Sequence, residues 1–149
     1  MARSYYSTVI DRPAASVWST IRDFGAYAWA GTGSNATIEG GRPGDAVGAV
    51  RRVATPGGTL RQRLLAHSDL ERSYAYQLCE PTPYPVRSYV GTLRVTPVVD
   101  GGRAFVEWWA TFDATGADTD HWVAHFERAM AGWPGSLRAV CAGDAAAKG

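Results

Sequence analysis

Cysteine is scarce in this 149-residue chain: Cys79 and Cys141 stand alone, with neither CxxC spacing nor the density of a disulfide framework. That excludes a cross-linked secreted scaffold and points to two buried or half-buried thiols in a reducing cytoplasm. Surplus charge is missing too, since Lys+Arg 15 against Asp+Glu 14 leaves a net +1. The arginines, Arg51, Arg61, Arg72, Arg87 and Arg103 among them, are scattered singly rather than gathered into a stripe. Nucleic acid is therefore not an expected partner. No apolar run is long enough to span a bilayer, which excludes a membrane partner of that kind. A secretory leader is not expected, because Met1-Ala2-Arg3 runs straight into a polar, tyrosine-rich strand.

Signatures of catalysis are equally sparse. There is no GxSxG elbow, and the glycine-rich Gly40-Gly41-Arg42-Pro43-Gly44 has neither a following GK[ST] nor GxGxxG spacing, so it reads as a turn. His121 and His125 are four apart on a helical pattern, but His-Trp-Val-Ala-His lacks the glutamate of the zinc-hydrolase motif and has no third ligand. No metal and no cofactor are expected.

What the chain has in quantity is aromatic side chains, Trp 6 and Tyr 7, within a hydrophobic content of 46 %. Such residues fill cores, and they also line cavities that hold organic ligands. The length suits one domain over 1–149, with a frayed tail from about 143.

Local patterns give an element order. Ser4 to Ile10 is β-branched and aromatic, a strand. Asp11 and Pro13 open a helix whose apolar face is Val17, Trp18 and Ile21, and a second short helix or turn carries Phe24 and Trp29 up to Gly31-Thr32-Gly33-Ser34. Strands follow over 36–39, 47–54, 59–66, 73–79, 86–98 and 103–112, with turn chemistry at Thr55-Pro56-Gly57-Gly58 and Asp100-Gly101-Gly102. From Asp118 or Asp120 the period changes: Trp122, Phe126, Met130, Trp133, Leu137 and Val140 recur three or four apart, a helix that Pro134 kinks or splits. A long helix must bury its stripe, and the concave face of the sheet is the partner available. The fold class is α+β: a curved seven-stranded antiparallel sheet wrapped around a long C-terminal helix, with two short helices after the first strand.

Alternation assigns the inner face of three strands. Leu60, Gln62, Leu64 and Ala66 oppose Arg61, Arg63 and His67; Tyr74, Tyr76 and Leu78 share a side; Tyr89, Leu93 and Val95 oppose Arg94 and Thr96. In the last strand both rows, Phe105-Glu107-Trp109 and Val106-Trp108-Phe112, are largely apolar, and alternation does not choose between them.

Several motifs together carry a family likeness. They are Val9-Ile10-Asp11-Arg12-Pro13-Ala14, Val17-Trp18, Ile21-Arg22 with Phe24, Gly44-Asp45 with Val47-Gly48 and Arg51, Arg63-Leu64, Arg87-Ser88-Tyr89 and Phe105-Val106-Glu107-Trp108. With the C-terminal helix they resemble the START-like superfamily, also called SRPBCC. This group includes polyketide cyclase/dehydratase-like proteins and plant abscisic-acid receptors. The resemblance covers nearly the whole chain and implies a helix-grip fold with an internal pocket for a hydrophobic small molecule. It implies a mobile gate at Pro56, Gly57 and Gly58 and a latch at Tyr84-Pro85-Val86. It turns Gln62, Tyr76, Tyr89, Gly91 and Glu107 inward, facing Phe126 and Met130, with Trp109 completing the aromatic wall. Ala30 stands where the receptors use a lysine for the ligand carboxylate, and the gate lacks their Leu-Pro, so a hormone-receptor role is not implied.

Among these residues Glu107 is the candidate for chemistry. A carboxylate in an apolar cavity has its pKa raised by desolvation, which suits acid/base work; the alternative is a structural ion pair with Arg51. Tyr76, Tyr89 or Arg51 would stabilise a carbonyl. The leading expectation is a cofactor-independent cyclase or dehydratase acting on a polyketide-like substrate by confinement and acid/base assistance. The alternative is a non-catalytic carrier or sensor. The sequence admits a homodimer without specifying one.

Overall fold

A computed structural model describes residues 1–31 and 34–148, with side chains up to residue 143. Seven strands form its single sheet: β1 (Ala2–Ile10), β2 (Thr37–Ile38), β3 (Val50–Thr55), β4 (Gly58–Ser68), β5 (Ser73–Leu78), β6 (Val86–Val98) and β7 (Arg103–Ala114). Their order across the sheet is β1-β7-β6-β5-β4-β3-β2, every neighbouring pair antiparallel. Short turns join β3 to β4, β4 to β5 and β6 to β7, and a longer loop over 79–85 joins β5 to β6, whereas β1 crosses to pair with β7, and α1 (Ala14–Ile21) carries the chain towards the opposite edge.

Register shifts between Leu64 and Ala66 in β4, and between Arg87 and Val90 in β6, bend long strands that would otherwise lie flat. Ser88, at φ 55, occupies the second of these irregularities. The first also exchanges faces. Ala66, expected inward, is exposed, while the His67 side chain is only 8% exposed and its ring lies 5.5 Å from that of Trp18. An extra residue in one strand inverts the alternation beyond it.

In α1, Ala14, Val17, Trp18 and Ile21 form the buried face. The expected Asp11 cap is not used: Pro13 holds the N-cap position, and its carbonyl accepts from Val17 N at 3.1 Å. The second short helix is a single 3-10 turn over Ala28–Ala30, which buries Trp29. The turn expected through Thr32 and Gly33 lies outside the described residues.

The C-terminal helical pattern divides into α2 (Thr119–Ala131) and α3 (Trp133–Lys148) at Gly132. Pro134 is the second residue of α3, where a missing N–H leaves no helical bond unmade. Phe126 and Met130 of α2, with Trp133, Leu137 and Cys141 of α3, pack onto the concave face. The frayed tail expected beyond about 143 concerns side chains outside the described set; the backbone of α3 runs on to Lys148.

Candidate functional site

Between the concave face and α2 lies a cavity of about 190 Å³. Five consecutive strands line it: β3 with Val53 and Thr55, β4 with Leu60 and Gln62, β5 with Tyr76 and Leu78, β6 with Tyr89, β7 with Trp108. The segment after α1 adds Tyr27 and Ala30, the β5–β6 loop Tyr84, and α2 Phe126, Ala129 and Met130. An engineered cavity of about 150 Å³ holds benzene, so the space suits a single-ring ligand with a short substituent.

Five of the expected site residues, Gln62, Tyr76, Tyr89, Phe126 and Met130, meet here. Others do not. Pro56, Gly57 and Gly58 are exposed in the β3–β4 turn and do not line the cavity, whereas Thr55, just before them, does. In the latch segment Tyr84 lines the space and packs on Phe126 at 5.4 Å, while Val86 is buried in the core beside it. Gly91 lies directly opposite Tyr76 in the β5–β6 register, and a Cβ there would collide with the Tyr76 ring. Its absent side chain makes room for a wall residue.

Glu107 and Trp109 are corrections. Both lie on the outer face of β7, because Ala104, Val106, Trp108, Ala110 and Phe112 take the inner row. Glu107 pairs with Arg94 at 3.0 Å, directly opposite in the register, and accepts from the Tyr5 hydroxyl at 2.7 Å. Arg51 is not its partner. Trp109 lies 5.5 Å from the guanidinium carbon of Arg3 and 5.5 Å from that of Arg94. Among the described residues, no carboxylate, imidazole or thiol lines the cavity.

Its ionisable groups are tyrosines. Burial, followed by the neighbouring Tyr89 and Tyr27, holds Tyr76 well above the ordinary phenol range. Burial likewise raises Tyr89, partly offset by hydrogen bonding from Tyr76, and raises Tyr27 and Tyr84. All four stay protonated at neutral pH and offer O–H donors, not bases. The Tyr76 oxygen accepts from Trp108 Nε1 at 3.0 Å, which fixes that phenol in place.

Behind this wall stands Arg51, with no exposed surface. Its Nε donates to Gln62 Oε1 at 2.6 Å, and Nη1 donates to the Phe24 carbonyl at 3.3 Å and the Tyr74 hydroxyl at 3.4 Å. The guanidinium carbon lies 4.0 Å from the centroid of Phe24, 4.1 Å from Tyr27 and 5.0 Å from Tyr76. Stacking of this kind, about 2 kcal/mol per contact when desolvated, offsets part of the several kcal/mol an ion loses on leaving water. Burial works against the charge, but the oxygens of Tyr74, Tyr27 and Tyr76 outweigh it and the guanidinium pKa is raised. The resemblance places Tyr84 in the latch, but Tyr27 and Trp108 are not among the expected lining residues: Tyr27 sits in an irregular segment with no period to read, and alternation does not choose between the two rows of β7.

A seven-stranded antiparallel sheet gripping a C-terminal helix around an aromatic pocket defines a helix-grip protein of the START-like, or SRPBCC, superfamily. The chain belongs to the family described as polyketide cyclase / dehydrase and lipid transport, whose model matches residues 1–143. It is similar to a protein of Nitrosospira multiformis at 29% identity and TM-score 0.74, covering 92% of this chain and 94% of that one. It is also similar to the protein XoxI of Bacillus cereus at 26% identity and TM-score 0.77, covering 94% and 95%. Norcoclaurine synthase of Thalictrum flavum, solved with a transition-state analogue, shares the fold at 13% identity and TM-score 0.72, covering 95% and 94%. Comparison with curated proteins finds no match. The coarse functional class is thus a ligand-binding SRPBCC protein. No helix among the described residues is long and apolar enough to cross a membrane.

Proposed function

We propose that the chain binds one small, hydrophobic, oxygenated molecule in the aromatic cavity and acts as its carrier or sensor in the cytoplasm. The observation that carries this reading is the lining itself, with apolar and aromatic walls, phenol and amide donors and, among the described residues, no carboxylate, imidazole or thiol. General acid–base catalysis needs a group that can lose and regain a proton near the working pH. Four phenols with raised pKa values are poorly suited to that. The cytoplasmic assignment rests on the sequence, with its two isolated cysteines.

A second reading, a cofactor-independent cyclase or dehydratase, is favoured by the family description and by the fixed Tyr76–Trp108 pair. Here the pocket would confine a reactive conformer of a polyketide-like substrate, and the Tyr76 and Tyr89 hydroxyls would polarise its carbonyl. Native mass spectrometry of freshly purified protein tests the first reading: a bound mass the size of a substituted single ring is expected. If Tyr89→Phe converts that bound molecule as fast as the parent protein, or if neither converts it, the second reading fails.

A further inference from the structure

The allocation of counter-charges in this protein is inverted. Three half-exposed arginines have carboxylate partners: Arg22 with Asp69, Arg61 with Glu39 and Arg94 with Glu107. The arginine with no exposed surface, Arg51, makes no ion pair among the described residues, and its buried Nη2 has no hydrogen-bond partner there. A guanidinium cannot escape burial by losing its proton. The fold therefore keeps a permanent positive charge, with no carboxylate partner among the described residues, one side chain behind the cavity wall.

Gln62 is that intervening side chain. It is 5% exposed, it lines the cavity, and its Oε1 accepts from Arg51 Nε. Because arginine is a donor only, the carbonyl end of the amide must face it. The NH₂ end then turns away from Arg51 and makes no hydrogen bond to another described residue. The cavity is offered a donor backed by a full positive charge, and a low-dielectric surround strengthens that attraction.

Resting on the reading of the cavity as a ligand site, we propose that its ligand is anionic: an aromatic or short hydrophobic carboxylic acid. Its carboxylate accepts from the Gln62 NH₂ and supplies the counter-charge that Arg51 lacks. The ring stacks among Tyr76, Tyr89 and Phe126. Neutral molecules of the same shape fill the cavity but leave the charge unanswered.

The test compares 3-phenylpropionate with its neutral near-isostere 3-phenylpropionamide, by calorimetric titration against the parent protein and Gln62→Glu. The substitution keeps shape and builds a counter-ion into the protein, so it avoids the folding risk of replacing Arg51. The parent is expected to bind the acid at least tenfold more tightly than the amide. Gln62→Glu is expected to reverse that order and to melt at a higher temperature than the parent. Equal affinity of the parent for acid and amide overturns the anionic ligand while leaving the cavity reading intact. Binding of neither probe overturns both. An unchanged acid preference in Gln62→Glu overturns the assignment of Gln62 and Arg51 as its source.

Discussion

Glu107 and Trp108 are neighbours in β7 and face opposite sides of the sheet. The Trp108 indole lines the cavity and donates to Tyr76, while the Glu107 carboxylate lies outside, held by Arg94 and Tyr5. One step along a pleated strand thus separates a cavity-facing group from a surface ion pair.

Glu107→Gln should therefore leave ligand binding unchanged. Arg94 is 47% exposed, so the pair is screened by solvent and its loss should cost about 1 kcal/mol or less. Melting temperature and probe affinity check this together. A tenfold loss of affinity with little change in stability would return Glu107 to the site.

Gly91→Ala should destabilise the protein by about 1–3 kcal/mol, since the added methyl meets the Tyr76 ring in a packed core. Gly57→Ala is the control, in an exposed turn where the nearest atom to an added Cβ is Thr55 Oγ1 at 4.0 Å. Urea denaturation of both variants is the measurement. Equal stabilities would mean that Tyr76 does not lie over Gly91.

Much of the architecture is legible in the chain because alternation and turn chemistry act locally. The 86–98 strand is found with the same bounds, and the 59–66 strand grows only to Gly58–Ser68. The pocket face of β7 was legible too, on a different criterion. The row of residues 104, 106, 108, 110 and 112 carries no charge, whereas 103, 105, 107, 109 and 111 includes Arg103 and Glu107. Weighing charge rather than apolar size chooses the first row for the core. The bulge at Leu64–Ala66 and the isolation of Arg51 were not legible. The latter depends on Phe24 and Tyr27 of the segment after α1, Gln62 of β4 and Tyr74 of β5 converging from three separate segments.

Acid should weaken the fold through Asp69. Its carboxylate accepts from Arg22 Nε and Nη2 at 3.0 Å and Trp18 Nε1 at 2.8 Å, and contacts His67 at 3.2 Å. Arg22 foremost, then the Trp18 N–H, holds it well below the usual carboxylate range. A folded pKa below the unfolded value stabilises the fold above the unfolded value, about 3.9, and that contribution fades as pH falls through the folded one. Asp69→Asn should be less stable than the parent at pH 7 and should lose less stability below about pH 4. Melting curves across that range decide it; parallel curves would contradict the assignment.

The central claim, that the cavity between sheet and α2 is the ligand site, is tested most directly by the indole N–H resonances of Trp108 and Trp109. These adjacent residues report from opposite faces of one strand. Titration of ¹⁵N-labelled protein with 3-phenylpropionate, 3-phenylpropionamide or the ligand that co-purifies should shift the Trp108 indole signal and leave Trp109 unmoved. Shifts at Trp109 with Trp108 unmoved would contradict the account, as would no shift at Trp108 with any ligand that binds.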